Sequence, residues 1–277
     1  MTSDPAKRLV EAVAERNLLD ALSYEVEGPA DAPLVIVLHG WGASASHMRG
    51  FVARLGARYR VANVDLPGHG NAPAPSTAFD MEAHAKSVSA LITSLGGSAH
   101  LIGHSNGGRI GLYMASRAPF RSLIRSLTLV SPSGIPRPRG LKYYVKRTMA
   151  NTLKAPFSIL PGAAREFGLD WLRHSLIWRV LGSSDYRSLD GPMRETFVKL
   201  VNTYVDGDLA EIRVPTLLFW GDADEAILKA QMDQLVAGIE DIGLVVLKGA
   251  GHFGFLDEPE TVYAATAHFL DELGGAA

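Results

Sequence analysis

The stretch AHLIGHSNGGRIGLYMASR, residues 99–117, joins an apolar run to a helical pattern through a single serine. Residues 99–102 predict a buried strand and residues 106–117 predict a helix. Between them, Gly103-His104-Ser105-Asn106-Gly107 fits the G-x-S-x-G pattern, in which a tight strand-to-helix turn holds a serine hydroxyl out at the edge of a sheet. The turn leaves no space for side chains two residues before or after the serine, which explains both glycines. The stretch therefore predicts Ser105 as a nucleophile.

Outward from this turn, short apolar runs alternate with helical patterns. The runs are rich in Val, Ile and Leu, which is typical of strands buried on both faces of a parallel sheet; besides 99–102 they are residues 34–38, 61–64, 127–130, 216–220 and 244–247. Besides 106–117, the helical patterns cover residues 80–95, 226–239 and 257–273. Asp257, with Pro259 and Glu260 after it, predicts the start of the last helix. This alternation predicts a layered α/β fold.

The strand rhythm stops between Ser133 and Val214, where several prolines interrupt aromatic and basic helical stretches. We interpret residues 134–213 as a helical cap (lid) inserted into one core domain, which residues 1–133 and 214–277 form. Residues 135–200 contain 12 Lys and Arg against 5 Asp and Glu. This excess would attract an anionic or amphipathic substrate, although a solvated helix face is the commoner explanation of such a pattern.

Composition narrows the function classes. The chain has 277 residues, of which 47% are hydrophobic and 20% charged, as in ordinary globular proteins. The net charge of −2 offers no basic field for a phosphate backbone, so no nucleic-acid partner is expected. The chain contains no cysteine, which excludes disulfides, thiolate metal sites and a cysteine nucleophile. Charged residues interrupt the first twenty positions, and no apolar run approaches the roughly 20 residues of a spanning helix. We expect a cytoplasmic protein without a membrane span; its oligomeric state stays open.

A serine hydroxyl is a weak nucleophile, so it needs a neighbouring base. His252 is the best candidate, because it lies just past the last apolar run, where α/β sheets gather reactive groups. The imidazole in turn needs a carboxylate that fixes its tautomer. Asp222 and Asp224 both follow the run at 216–220. The spacing after that strand favours Asp224, in the chain order Ser, Asp, His, and makes Asp222 a turn or capping carboxylate.

The tetrahedral intermediate of acyl transfer carries negative charge on oxygen, so backbone N–H donors must wait for it. His39-Gly40-Trp41-Gly42 follows the run at 34–38, and the N–H of Trp41 is the first predicted donor. The second is the N–H of Asn106, the residue after the nucleophile. We expect His39 itself to be a structural hydrogen bonder.

Five motifs carry a resemblance to a known family: residues 39–42, 65–70, 103–107, 221–224 and 251–252. Together they resemble the alpha/beta-hydrolase superfamily, over roughly residues 31–133 and 214–272. The resemblance implies a mostly parallel eight-stranded sheet, a lid, no cofactor, and a triad of Ser105, Asp224 and His252. A serine nucleophile differs from the aspartate of epoxide hydrolases and haloalkane dehalogenases. The C–C bond hydrolases usually have Asn before the serine, where this chain has His104. Within the superfamily, a carboxylesterase acting on a small acyl substrate is the commonest activity; lactonase, thioesterase and C–C hydrolase remain alternatives.

The sequence also bears on three other function classes: a dinucleotide-binding enzyme, a receptor and a metalloenzyme. Residues 40–45 match G-x-G-x-x-A, with Asp65 about 20 residues on, as in dinucleotide-binding proteins; that interpretation leaves the three triad residues without a role. A small-molecule receptor that does not turn over its ligand gains nothing from an activated serine. No metal is expected, since H-E-x-x-H and cysteine are both absent. The aromatic residues that could wall a pocket, although each is more often simple core, are Tyr143, Tyr144, Phe157, Trp171, Trp178, Tyr186, Phe197 and Tyr204.

Overall fold

The computed structural model describes residues 16–138 and 189–274, together with a few residues between 148 and 164. In that part of the chain seven strands form one sheet, in the order β1-β3-β2-β4-β5-β6-β7. Only β1 is antiparallel to its neighbour. The strands are β1 Ser23–Glu27, β2 Leu34–Leu38, β3 Arg60–Asp65, β4 Ala99–His104, β5 Ile124–Val130, β6 Thr216–Gly221 and β7 Ile242–Leu247. The predicted α/β fold is confirmed, with seven described strands where the resemblance implied eight.

Helices cover both faces of this sheet. Side chains alternate across a strand, so neighbouring residues of β2 belong to different cores: Ile36 and Leu38 pack in one, Val35 and Val37 in the other. This explains why β2 is buried at all five positions. The α-helices that are described from end to end are α1 Ala45–Leu55, α2 Met81–Leu95, α3 Asn106–Ser116, α4 Ala118–Arg121, α5 Gly191–Val201, α6 Lys229–Gly238, α7 Gly254–Asp257 and α8 Pro259–Glu272.

The start of the last helix differs from the sequence prediction. Helix α8 begins at Pro259 with Glu258 as its N-cap, and Asp257 instead ends the short helix α7. The Asp257 carboxylate accepts a hydrogen bond from the Gly251 N–H, at 2.8 Å. The prediction of Asp257 as the helix start was therefore wrong, because this carboxylate is engaged by the loop before His252.

Of the predicted cap, the described residues include helix α5 and a 3-10 helix, Asp206–Glu211, and they contain no strand between β5 and β6. Most of the basic stretch lies outside the described residues, so the division into core and cap stays a prediction. Within the described part of the chain, no helix combines the length and the apolar character that crossing a membrane requires.

Four buried histidines predict an acid-sensitive fold. Burial lowers the pKa of His39, His84 and His100 to about 4 and that of His104 to about 3. Below the ordinary pKa of 6.5 the unfolded chain binds protons that the folded chain does not, so stability falls as pH falls, until the folded-state pKa values are reached. We expect each histidine to lower the free energy of unfolding by on the order of 1 to 2 kcal/mol between pH 7 and pH 5. Urea unfolding at several pH values measures this; a constant midpoint over that range would contradict it.

Candidate active site

Ser105 occupies a strained turn between a strand and a helix. Strand β4 ends at His104, helix α3 begins at Asn106, and Ser105 between them has φ 50° and ψ −109°. A positive φ is uncommon for a residue with a side chain and costs conformational energy. Two backbone hydrogen bonds hold the turn, from Ser105 N–H to the Val130 carbonyl at 3.1 Å and from Ser133 N–H to the Ser105 carbonyl at 3.0 Å.

The glycines of the motif are required by close backbone contacts. A Cβ on Gly103 would lie 2.5 Å from the backbone of Gly107, and a Cβ on Gly107 would lie 2.3 Å from the carbonyl oxygen of Leu38. Both distances are far shorter than a van der Waals contact. The structure thus agrees with the expectation that side chains are excluded at both positions, and it identifies the end of β2 as one cause.

His252 and Asp224 lie side by side, on loops after β7 and β6. The Nδ1 atom of His252 lies 2.9 Å from Oδ2 of Asp224, and the Asp224 side chain is fully buried while that of His252 is 22% exposed. A carboxylate only accepts, so Nδ1 carries the proton and Nε2 is left as the basic nitrogen. The structure therefore brings the predicted base and the predicted carboxylate into hydrogen-bond contact, and their catalytic roles stay a prediction.

The Asp224 carboxylate is held in its charged form. Its Oδ1 accepts hydrogen bonds from the N–H groups of Ala226, at 2.8 Å, and Ile227, at 3.0 Å. Burial alone would raise the pKa of the Asp224 carboxyl, but the hydrogen bonds from His252 and Ile227 outweigh burial and hold its pKa below the usual value. A negative charge consequently faces the imidazole at neutral pH.

Asp222, the other carboxylate of the same loop, has a different partner. Its Oδ1 accepts a hydrogen bond from the Gly249 N–H at 2.7 Å. A second bond joins the same two loops, from Ala223 N–H to the Ala250 carbonyl at 3.0 Å. Asp222 is thus a turn carboxylate that fastens the loop after β7, which matches the lesser role that its spacing predicted.

The predicted oxyanion donors lie on two segments next to Ser105. Trp41 follows β2, and Asn106 is the first residue of α3, where a helix leaves its N–H groups without intrahelical partners. A Cβ on Gly40 would lie 3.1 Å from Cβ of Ser105, so the loop after β2 lies against the nucleophile. Both residues thus lie on segments adjacent to Ser105, and their role as oxyanion donors stays a prediction.

His39 and Asp65 have structural tasks. His39 donates from Nδ1 to the Gly40 carbonyl, at 2.7 Å, and accepts at Nε2 from the Leu66 N–H, at 3.0 Å. Asp65 accepts from the N–H groups of Ala45, at 2.6 Å, and Asn71, at 2.9 Å. His39 is therefore a hydrogen bonder, as expected. Both oxygens of the Asp65 carboxylate accept hydrogen bonds from backbone N–H groups of this protein. The carboxylate is thus engaged within the fold, whereas a dinucleotide site would need it to accept from the ribose.

One neighbour of the site was not recognised from sequence. The ring of His104 lies 4.8 Å from the ring of His252, and its Nε2 lies 3.0 Å from the His252 carbonyl oxygen. Sequence reasoning used His104 only as a departure from the C–C hydrolases. The available signal was its place at the end of a buried strand, directly before the nucleophile.

Of the eight aromatic residues considered for the pocket, Phe197 and Tyr204 lie in the described part of the chain. The ring of Phe197, on α5, lies 5.1 Å from the Trp41 ring, and Trp41 also contacts His69 at 4.7 Å. Helix α5 therefore packs on the loop that carries a predicted oxyanion donor. Among the described residues, no group of three or more His, Asp or Glu side chains could hold a metal ion.

Known hydrolases are similar to this chain over most of its length. Residues 35–265 match the model of the alpha/beta hydrolase family. A pimeloyl-[acyl-carrier protein] methyl ester esterase of Neisseria meningitidis is 29% identical over 247 residues, which cover 86% of this chain and 93% of that protein. An esterase of the same name from Aeromonas hydrophila is 27% identical, over 90% of this chain and 100% of its own length. The structure of the enol-lactonase from Burkholderia xenovorans LB400 aligns with a TM-score of 0.67 at 23% identity, covering 90% of this chain and 96% of that one. The family match spans most of the chain, and the chain belongs to the alpha/beta hydrolase family.

Proposed function

We propose that this protein is a serine hydrolase that cleaves carboxylic esters of small acyl substrates, with Ser105 as nucleophile, His252 as general base and Asp224 as the orienting carboxylate. The observation that carries the proposal is the 2.9 Å contact between His252 and a buried, charged Asp224, at the sheet edge where the strained turn presents Ser105. All three residues follow the carboxyl ends of parallel strands, which is where sheets of this kind bind ligands.

The first half of the reaction transfers the acyl group to the enzyme. Oγ of Ser105 attacks the ester carbonyl carbon as its proton passes to Nε2 of His252. The carbonyl oxygen becomes an oxyanion, to which the N–H groups of Trp41 and Asn106 donate. The intermediate collapses, the bond to the alcohol breaks, and the imidazolium gives its proton to the leaving oxygen. The product is an alcohol and an acyl ester on Ser105.

The second half releases the acid. Water attacks the acyl carbon, His252 takes one proton from it, and a second oxyanion forms in the same place. Collapse of this intermediate breaks the bond to Oγ, which regains its proton from the imidazolium. Asp224 keeps its charge throughout and stabilises the imidazolium twice in each cycle, for which its lowered pKa is suited.

The substrate class is proposed from the relatives. Two are named for a methyl ester of an acyl chain, which supports an ester with a small alcohol on this chain too. Lactones, thioesters and activated C–C bonds pass through the same oxyanion, so they are arms of the test. The cap over residues 134–213 is proposed as the cover of the acyl side. No cofactor enters this mechanism, and a cytoplasmic location stays a prediction from the sequence.

The proposal is tested with a serine-directed fluorophosphonate and a substrate panel. We expect the reagent to add one phosphonyl group to the peptide that contains Ser105. We also expect turnover of p-nitrophenyl or methyl esters of some acyl length, compared with lactones and thioesters of the same acyl group. If the protein were neither labelled by the phosphonate nor able to hydrolyse any of these esters, the proposal would be overturned. Nicotinamide fluorescence changes without labelling would favour a dehydrogenase, and ligand binding without turnover a receptor.

A further inference from the structure

The side chain of His104 touches two loops other than its own. It is 1% exposed, at the end of β4. Its Nε2 lies 3.0 Å from the carbonyl oxygen of His252, and a Cβ on Gly40 would lie 2.8 Å from its Nδ1. The ring therefore joins the nucleophile turn, the loop of the first predicted oxyanion donor and the loop of the predicted base.

The hydrogen-bond partner defines the tautomer of this ring. A backbone carbonyl only accepts, so Nε2 of His104 carries the proton and donates it. Its Nδ1 is then a buried lone pair, which has no hydrogen-bond partner among the described residues. Burial, with the nearby His252 as the next cause, lowers the pKa of His104 to about 3. His104 is thus neutral at neutral pH.

Neutrality matters because the two rings are only 4.8 Å apart. A proton on Nδ1 of His104 would place a positive charge beside the imidazolium that forms during each proton transfer, and like charges at this distance repel. A neutral ring avoids this repulsion while it still donates one hydrogen bond. The ring also contacts two phenylalanine rings, with its centroid 5.0 Å from that of Phe253 and 5.1 Å from that of Phe255.

The bond to His252 reaches a part of the loop that the other described tethers do not. Asp222 and Asp257 hold the N–H groups of Gly249 and Gly251. The His104 bond instead holds the carbonyl of His252 itself, directly after the Cα that carries the imidazole. Because a displacement of about 1 Å at a reacting group costs roughly a hundredfold in rate, this backbone tether bears on catalysis.

We propose that His104 is a positioning residue, whose Nε2–H holds the backbone of His252 so that the imidazole stays aimed at Ser105. The proposal rests on the proposed function of that site, and His104 acts through His252 without touching the reacting atoms. The residue before the nucleophile thereby acquires a role that an apolar ring of similar size does not replace.

The test compares His104→Phe, which keeps a ring but removes the donor, with His104→Gln, whose amide places a donor near the position of Nε2. We expect His104→Phe to lower kcat at least about tenfold with KM within about threefold, and to slow phosphonate labelling of Ser105 by a similar factor. His104→Gln should recover most of the lost kcat. His100→Phe is the matched control, since it replaces another buried histidine of β4, bonded to Ser126 Oγ at 2.8 Å; it should lower the melting temperature with kcat unchanged.

Three results would overturn the proposal. The first is a folded His104→Phe variant with the kcat and labelling rate of the unmodified protein. The second is a His104→Gln variant as impaired as His104→Phe, because the donor is then not what matters. The third is an imidazole NMR spectrum that shows His104 protonated on Nδ1, which is measured without any substrate. An unmodified protein that neither hydrolyses esters nor is labelled would instead count against the proposed function, while the NMR spectrum still decides the hydrogen bond.

Discussion

We expect Ser105→Ala to abolish turnover of p-nitrophenyl acetate and to leave the fold intact. The substitution removes the atom that attacks the ester carbonyl in the first half of the proposed mechanism, so the rate should fall by at least about a thousandfold, to what the remaining polar site supplies. The fold should survive because alanine keeps the Cβ that serine already carries at φ 50°, so no new backbone strain arises. Steady-state kinetics with circular dichroism on the same sample measure both parts.

Ser44→Ala is a suitable control for this experiment. Ser44 is half-buried at the N-cap of α1, and its hydroxyl is bonded to its neighbours Ser46, at 2.8 Å, and His47, at 3.2 Å. Its activity should match that of the unmodified protein. If Ser105→Ala retained turnover and phosphonate labelling, the nucleophile would be another residue and the proposed mechanism would have to be abandoned.

Asp224→Asn is expected to lower kcat by about a thousandfold to ten-thousandfold. The asparagine amide can donate toward Nδ1 of His252, which turns the imidazole to the tautomer with its proton on Nε2. That nitrogen then cannot accept the proton of Ser105. The loss should appear in kcat more than in KM, because the carboxylate stabilises the imidazolium, which exists only after attack begins. Kinetics at neutral pH measure it, provided that the melting temperature shows a folded variant.

Asp222→Asn is the matched control, two residues away on the same loop. Its Oδ1 accepts from the Gly249 N–H, and the amide oxygen of asparagine accepts the same bond. We expect kcat within severalfold of the unmodified protein, with a modest loss of stability. Equal losses for the two variants, or a larger loss at Asp222, would contradict the assignment of Asp224.

The sequence predicts best the features that burial imposes. Strand β2 has the predicted bounds because all five of its residues are buried, on two faces, and so must be apolar. Strand β1, SYEVE, was missed because it lies at the sheet edge and only partly buries its residues. A half-exposed strand with two glutamates carries no apolar run that could be recognised.

The site divides in the same way. A local motif predicts Ser105, and the positions directly after strands predict Asp224 and His252. The proximity of Asp224 and His252 then follows from the geometry of a parallel sheet. The bond between His104 and the His252 carbonyl joins residues 148 positions apart. Every residue carries a backbone carbonyl, so the sequence does not show which carbonyl accepts the bond. The partner is known only from the folded positions of the loops. The Asp257 carboxylate was misassigned for the same reason, since its partner is a backbone N–H.

In this mostly parallel sheet, the predicted triad residues all follow the carboxyl ends of strands, so the opposite edge of the sheet has no part in the proposed reaction. The turns that enter the strands from the opposite side carry none of the three predicted triad residues, and Gly96 and Gly97, between α2 and β4, have open space around them. A linker, a fluorophore or an attachment to a solid support at this turn would therefore leave the candidate active site exposed to the solution.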